Sequence, residues 1–315
     1  MNPAGPLLQA LRAIAEPTRL RVLSLCGHSE LAVSELVQIL GQSQPRVSRH
    51  LKLLVDSGVL ERNREGIWTY YRAAQGGIGA DLAQAVLDLI PQHDERVALD
   101  LERLEAVRRA RAERARAYFR ENSARWAEVR SLYVDERQVE RALTTLLPPG
   151  SYGEFLDIGT GTGRILEVLG PAARQALGID VSPEMLTIAR SNMDRAGLSH
   201  CQVRKADMYN LPIGSESFDA VTLHMVLHYA ETPGGVLAEA ARVLRPGGRL
   251  VVVDFAPHRN ESLRDAHAHL WLGFGDESIA SWLREVNLAA NPPIRLDGGE
   301  LTVCLWPASR PEEAA

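Results

Sequence analysis

Cysteine is scarce in this chain, and the little there is does not cluster. Cys26, Cys201 and Cys304 are the only thiols in 315 residues, and no C-x-x-C pair occurs. That excludes a disulfide framework or a zinc ribbon and suits a reducing cytoplasm. Long apolar runs are missing too. Stretches such as Leu250–Val253 fall far short of the roughly 20 residues that cross a bilayer, so no membrane partner is expected. Residues 1–12 carry no basic patch followed by an apolar stretch and a small-residue cleavage site, and no signal peptide is expected. An overall positive excess is also absent. The formal charge is −5, with 45% hydrophobic and 24% charged residues, an ordinary globular composition that excludes a protein coating nucleic acid over its whole surface. The length suggests about two domains.

What is present divides the chain in the same way. Residues 1–76 hold nine Lys/Arg against six Asp/Glu, so the acidic excess lies behind them. A basic module on an acidic body is the pattern expected where one end meets phosphate. The front reads as short helices and a hairpin. Pro17 suits the first position of a helix, a third helix ends at Gly41, and Ser43 is placed to cap a fourth over Gln44–Asp56. Val59–Arg62 and Trp68–Arg72 flank a turn-rich link and read as a hairpin. On the fourth helix Val47, Leu51 and Leu54 share one face, leaving Gln44, Arg46, Ser48, Arg49 and Lys52 on the others. Such side chains read base edges or neutralise phosphate. Arg62, Arg64 and Arg72 on the hairpin would reach flanking phosphates, while His50 would lean into the packing.

The stretches LRAIAEPTRLRVLSLC and SQPRVSRHLKLLVDSGVLERNREGIWTYYR resemble the ArsR/SmtB winged-helix repressors over essentially residues 5–73. The resemblance implies a homodimer on double-stranded operator DNA. Many members sense metals through cysteines in the helix before the turn. Here LAVSEL has Ala32 and Ser34 at that place, and without soft ligands a thiophilic ion is not expected. The competing reading is a winged helix used only for dimerisation in front of a small-molecule methyltransferase; the basic fourth helix favours DNA.

Residues 77–122 read as a helical linker. Val97, Leu101 and Leu104 share one helical face that would pair with a second copy or serve a solvated spacer. From 123 to 315 short β-rich runs alternate with helical ones (Phe155–Ile158, Ala176–Ile179, Cys201–Arg204, Ala220–His224, Arg249–Asp254), the sign of a doubly wound α/β sheet. The first run enters Asp157-Ile158-Gly159-Thr160-Gly161-Thr162-Gly163. A dinucleotide loop wants G-x-G-x-x-G, which fails in both possible frames, and no G-K-[ST] follows for a phosphate loop. D-x-G-x-G-x-G, with LGIDVSPEML and LRPGGRLVVVDF, is similar to class I S-adenosylmethionine (SAM) dependent methyltransferases over about residues 150–256.

That resemblance implies a seven-stranded sheet with a reversed last strand and a cofactor site. Gly159, Gly161 and Gly163 would pass under the methionine and ribose of SAM. Asp157 would orient the loop and help hold the amino group. Asp180 would accept from the ribose hydroxyls, with Met185 a helical turn on, and Asp207 and Met208 would meet the adenine. Taken singly, Asp180 also reads as a helix cap near Ser182 and Asp207 as a turn residue. Trp126, with Tyr118 and Phe119, would cover the cofactor, or Trp126 would simply pack. His224 and His228 are the candidate catalytic groups near the methyl. His258, His267 and His269 read as surface or helix residues, and no metal is expected. The expectation is a DNA-binding regulator carrying a SAM-binding domain. That domain would methylate a small molecule or sense SAM or S-adenosylhomocysteine (SAH).

Overall fold

The computed structural model of the chain describes residues 5–65, 68–74, 76–91, 94–111, 113, 135–298 and 300–312. They fall into two compact units divided between Glu113 and Arg114.

In the first unit come α1 (Gly5–Ile14), α2 (Pro17–His28), the two-residue β1 (Leu31–Ala32), α3 (Val33–Leu40), α4 (Gln44–Asp56), the hairpin β2 (Leu60–Glu65) and β3 (Trp68–Ala73), α5 (Ile78–Leu89) and α6 (95–111). Pro17 opens α2, and the Glu16 carboxylate accepts the Arg19 N–H at 2.9 Å, which satisfies one orphan donor of the first turn. Gly41 ends α3 with φ 64°, a left-handed conformation that costs glycine least. Ser43 occupies the N-cap of α4, but its hydroxyl makes no capping bond; its carbonyl takes the Arg46 and Val47 amides. The three strands pair antiparallel in the order β1-β3-β2. Val47, Leu51 and Leu54 of α4 are buried with Leu23, Leu36, Ile39 and Leu60 in one core.

The segment beyond residue 76 differs from the expected linker. α5 and α6 lie on this first unit. Leu104 and Val107 are buried in its core. Asp100 accepts a two-pronged bond from Arg21 at 2.6 and 2.7 Å. Arg111 forks onto Glu35 at 2.9 and 2.6 Å, while Arg103 and Arg108 donate to the carbonyls of Ile39 and His28. Bidentate guanidinium pairs carry both energy and geometry, so the end of α6 is tied to α3.

The second unit contains α7 (Glu136–Leu146), β4 (Glu154–Ile158), α8 (Arg164–Leu169), β5 (Gln175–Asp180), α9 (Pro183–Ala196), β6 (Cys201–Lys205), β7 (Phe218–His224), α10 (Pro233–Val243), β8 (Leu244–Phe255), α11 (Ser262–His267), α12 (Asp276–Glu285), β9 (Ala289–Ala290), β10 (Ile294–Leu296) and β11 (Val303–Ser309). The sheet runs β10-β11-β8-β7-β4-β5-β6, with β9 added beside β11. β6, β5, β4, β7 and β8 are parallel. β11 alone is reversed between β8 and β10, as expected of the last strand. Alternate strand residues face opposite sides. Leu156, Ile158, Val221, Leu223 and Val252 enter one apolar cluster, and Phe155, Ala220, Val251, Val253 and Phe255 the other. Burial on both faces requires the near-continuous apolar runs seen in the sequence. Among the described residues no helix is long and apolar enough to cross a membrane.

Candidate functional site

On α4 the inward positions are filled by Val47, Leu51 and Leu54, which turns Gln44, Arg46, Arg49 and Lys52 outward; all four are exposed, and Ser48 is half-buried beside them. None of the three cations, Arg46, Arg49 and Lys52, has an ion-pair partner among the described residues. Arg62 and Arg64 of β2 are exposed as well. Arg72 is not part of this surface. It is 9% exposed and paired across the hairpin with Glu61, because its place opposite Glu61 in the ladder turns it toward that carboxylate. His50 is half-buried and lies 3.5 Å from Glu16, in keeping with packing rather than base reading.

The second site sits where β4 and β5 end, at the carboxyl edge of a parallel sheet, the usual ligand position in open α/β folds. Gly159, Gly161 and Gly163 all have positive φ, at 73°, 52° and 79°. A methyl on Gly159 would lie 2.3 Å from Val226 Cγ2, whereas one on Gly161 would meet nothing within 4 Å. The loop is therefore pressed onto protein at Gly159 and presents bare backbone at Gly161. Asp180 braces it: Oδ2 accepts the Gly161 N–H at 2.9 Å and Oδ1 the Ser182 N–H at 2.9 Å. Ser182, not Asp180, caps α9, its hydroxyl accepting from Met185 N–H at 3.2 Å. Each carboxylate oxygen has a second lone pair, so the half-buried Asp180 can accept two further hydrogen bonds.

Asp157 lies beneath the loop, 1% exposed, with Oδ1 accepting from the Thr222 hydroxyl at 2.7 Å. Its Oδ2 is buried without a hydrogen-bond partner. Burial pushes this carboxyl up to about 7, against the pull of the Thr222 hydroxyl. An orphaned carboxylate oxygen under bare backbone fits a ligand that brings a positive charge or an N–H. Asp207 is exposed and its Oδ1 accepts the Tyr209 N–H at 3.0 Å, so it is a turn residue whatever else it does. Met185 and Met208 are half-buried nearby in sequence to these carboxylates. Trp126, Tyr118 and Phe119 lie outside the described residues.

His224 ends β7, and burial pulls its imidazole down to about 4. His228 lies on the 3-10 turn Leu227–Tyr229 and is 2% exposed. The sequence-based expectation that His258, His267 and His269 are surface or helix residues fails for burial. His267 ends α11 but is 4% exposed, and His269 is 3% exposed. The chain after β8 folds back: Leu270 and Trp271 donate their N–H groups to the His228 carbonyl, and Phe274 to that of Phe255. No three His, Cys, Asp or Glu side chains among the described residues are arranged to hold a metal ion. Sequence reasoning also passed over Asp254, fully buried at the end of β8 and bonded to His228. A lone acid in the run Val251-Val252-Val253-Asp254-Phe255 was the available signal, since buried charge needs a partner.

Comparisons with known proteins match a stretch in each unit. Residues 16–62 match the family described as bacterial regulatory protein, arsR family, and residues 156–252 the methyltransferase domain family. The chain thus joins an arsR-family winged-helix module to a methyltransferase domain of the class I fold. The demethylmenaquinone methyltransferase of Tropheryma whipplei (strain Twist) is 35% identical over 127 residues, 40% of this chain and 52% of that protein. The O-methyltransferase cnsE of Penicillium expansum is 36% identical over 122 residues, covering 37% and 43%. The chain spans about half the length of the curated relatives it matches. Among solved structures, the N-methyltransferase NodS from Bradyrhizobium japonicum WM9 in complex with SAH aligns with TM-score 0.48 and 25% identity, over 56% of this chain and 88% of that one.

Proposed function

We propose that this protein is a dimeric, cytoplasmic, DNA-binding transcriptional regulator whose second unit binds SAM and SAH and either methylates a small molecule or reports the cofactor to the operator-binding unit. The observation that carries the reading is the loop at Gly159–Gly163, with bare backbone at Gly161 and Asp180 braced against it. Asp180 would hold the ribose hydroxyls with its remaining lone pairs, Asp207 and Met208 the adenine, and the orphaned oxygen of Asp157 the ammonium. The match of residues 156–252 to the methyltransferase domain family supports the ligand class. When bound, SAM supplies a methyl group on a sulfonium, which needs chiefly an aligned acceptor and exclusion of water.

The DNA half of the proposal rests on the unpaired cations of α4 and on Arg64 at the hairpin. Dimerisation is supported by Leu7, Leu8 and Leu11, each 40–43% exposed on α1; apolar side chains grouped this way mark interaction surfaces. Regulation requires only that SAM or SAH favour one of two conformations. Operator retention titrated with SAM and with SAH at fixed salt tests the whole. Coupling is expected as a shift in the DNA midpoint, and Asp180→Ala should weaken nucleoside binding about tenfold or more, since hydrogen bonds to charged groups contribute about 1.5–3 kcal/mol. DNA binding that ignores both nucleosides, with nucleoside affinity untouched by Asp180→Ala, would sink it.

A further inference from the structure

At the carboxyl ends of β7 and β8, the edge where open α/β folds take their ligands, lies a histidine cluster that binding SAM does not require. Its centre is Asp254. Oδ1 accepts from His228 Nδ1 at 2.8 Å and from the Phe255 N–H at 2.8 Å, and Oδ2 accepts the His228 N–H at 3.1 Å. The two backbone N–H groups, of His228 and Phe255, already point at this carboxylate and favour its acceptor form. Nδ1 of His228 therefore carries the proton and Nε2 the lone pair, the tautomer a base needs. Among the described residues no group hydrogen-bonds to that Nε2.

The surroundings are aromatic and short of partners. His269 stacks on His228 with ring centroids 3.9 Å apart at 22°. Tyr229 lies 4.2 Å and Phe255 5.7 Å from the same ring. The Nδ1 of His269, a residue 3% exposed, and the Nε2 of His258 are buried without hydrogen-bond partners. More than about nine in ten buried polar groups are paired, so two orphans beside one base mark a place where a ligand's polar group docks. The imidazoles around it bring no charge: burial holds His224 down to about 4 and His269 to about 3, and lowers His258. Flat rings and neutral nitrogens suit an uncharged planar acceptor. His224 has no carboxylate bonded to it among the described residues, which leaves it a neighbour of the cluster.

We propose that Asp254 orients His228 to take the proton of the methyl acceptor at Nε2, and that the acceptor is an aromatic hydroxyl. This rests on the second unit binding SAM. In the step, the acceptor oxygen forms the new bond to the methyl carbon, the carbon–sulfur bond breaks with its electron pair left on sulfur, and the O–H proton passes to Nε2. The imidazolium so formed stands against the Asp254 carboxylate. Asp254 is a positioning residue and His228 the catalytic one.

The test uses the full chain loaded with SAH and para-nitrophenol, an aromatic hydroxyl whose absorbance reports its ionisation, at a pH below its own ionisation. Wild-type protein is expected to give the phenolate band, lost in both Asp254→Asn and His228→Gln, while SAH heat by calorimetry stays unchanged in all three. NMR of histidine-labelled wild-type protein is expected to show His228 protonated at Nδ1 and bare at Nε2; Asp254→Asn should mix the tautomers. The same band in all three proteins, no band in the wild type, or a His228 protonated at Nε2 overturns the proposal. Absence of SAH heat from the wild type overturns instead the reading of the second unit on which it rests. Should Asp254→Asn not fold, His228→Gln and the wild-type tautomer still decide.

Discussion

The outward face of α4 and the cluster beyond β7 both gather polar side chains, and they are built by opposite means. On α4 one stretch of thirteen residues does everything: Val47, Leu51 and Leu54 go inward, and the helical period alone presents Arg46, Arg49 and Lys52 to solvent. In the cluster, His228, Asp254 and His269 come from three segments, joined by the crossover of a parallel sheet and by a loop that folds back on the 3-10 turn. The first surface is charged, solvated and tolerant of change. The second is buried, and its one carboxylate is met by His228 and by two backbone N–H groups. Local geometry is enough to build a cationic face, whereas proton chemistry needs groups taken out of water.

The largest expected effect comes from the glycine loop, where two neighbouring glycines should part company. Alanine at Gly159 places a methyl 2.3 Å from Val226 Cγ2 on a backbone with φ 73°. Overpacking of about 1–3 kcal/mol and left-handed strain of about 1–2 kcal/mol add, so Gly159→Ala should lower both the melting point of the second unit and SAM affinity, the latter about a hundredfold. Alanine at Gly161, with φ 52°, meets no protein atom within 4 Å, so it should carry the left-handed strain of about 1–2 kcal/mol without the overpacking, reducing SAM affinity with a smaller loss of melting than Gly159→Ala. Calorimetry and thermal unfolding on the pair check this; equal melting losses would mean that Gly161 is packed like its neighbour.

Next in size is the α4 face. Arg46→Ala with Arg49→Ala should weaken operator binding about ten- to a hundredfold at fixed salt and lower the salt slope by about two. SAM affinity should not move. A titration across salt concentrations reads both numbers, and an unchanged slope would show that these arginines do not meet phosphate.

Smaller again is a proton linked to the cofactor. Asp157, lifted to about 7 by burial, is largely protonated in the folded protein below that pH, and an ammonium bound against it favours the carboxylate. SAM affinity should therefore rise as pH climbs toward 7 and then level, with proton release on binding in the lower range. Asp157→Asn should flatten the rise. Calorimetry in buffers of different ionisation heat measures the protons directly, and no release near pH 6 would place the ammonium elsewhere.

How much of this was legible in the sequence follows from the same contrast. The helix ends at Gly41, the inward set of α4, the strands and the glycine loop could all be read because each depends on neighbours within a few residues. Arg72 could not, because its partner is Glu61 across a hairpin ladder whose register decides which charges meet. α6 was read as a linker because its heptad-like apolar spacing says that one face is covered, not by what; Asp100 and Arg111 find Arg21 and Glu35 about eighty positions away in the chain. His267 and His269 read as exposed because a polar segment after a strand usually is, and only the fold-back onto the His228 carbonyl buries them.

The finest test of the contrast is acid sensitivity, which the exposed arginines of α4 cannot supply and buried imidazoles must. His269 has its pKa lowered by burial from an ordinary value to about 3, and His224 to about 4. Between the unfolded value, about 6.5, and those depressed values, the unfolded chain binds protons that the folded one refuses, so stability is full above that window and falls as pH drops through it. Asp157 works the other way, since a raised acid loses stability as pH rises from about 4 toward 7, but two imidazoles outweigh one carboxyl. The second unit should therefore lose stability from pH 7 to pH 5. His269→Gln, which removes one of the titrating rings, should recover up to about 2 kcal/mol of that loss at pH 5 while leaving operator binding by the first unit unchanged. Denaturant titrations at the two pH values measure it. If wild type and variant lose the same amount, His269 takes up its proton in the folded protein, and the cluster is wet rather than dry.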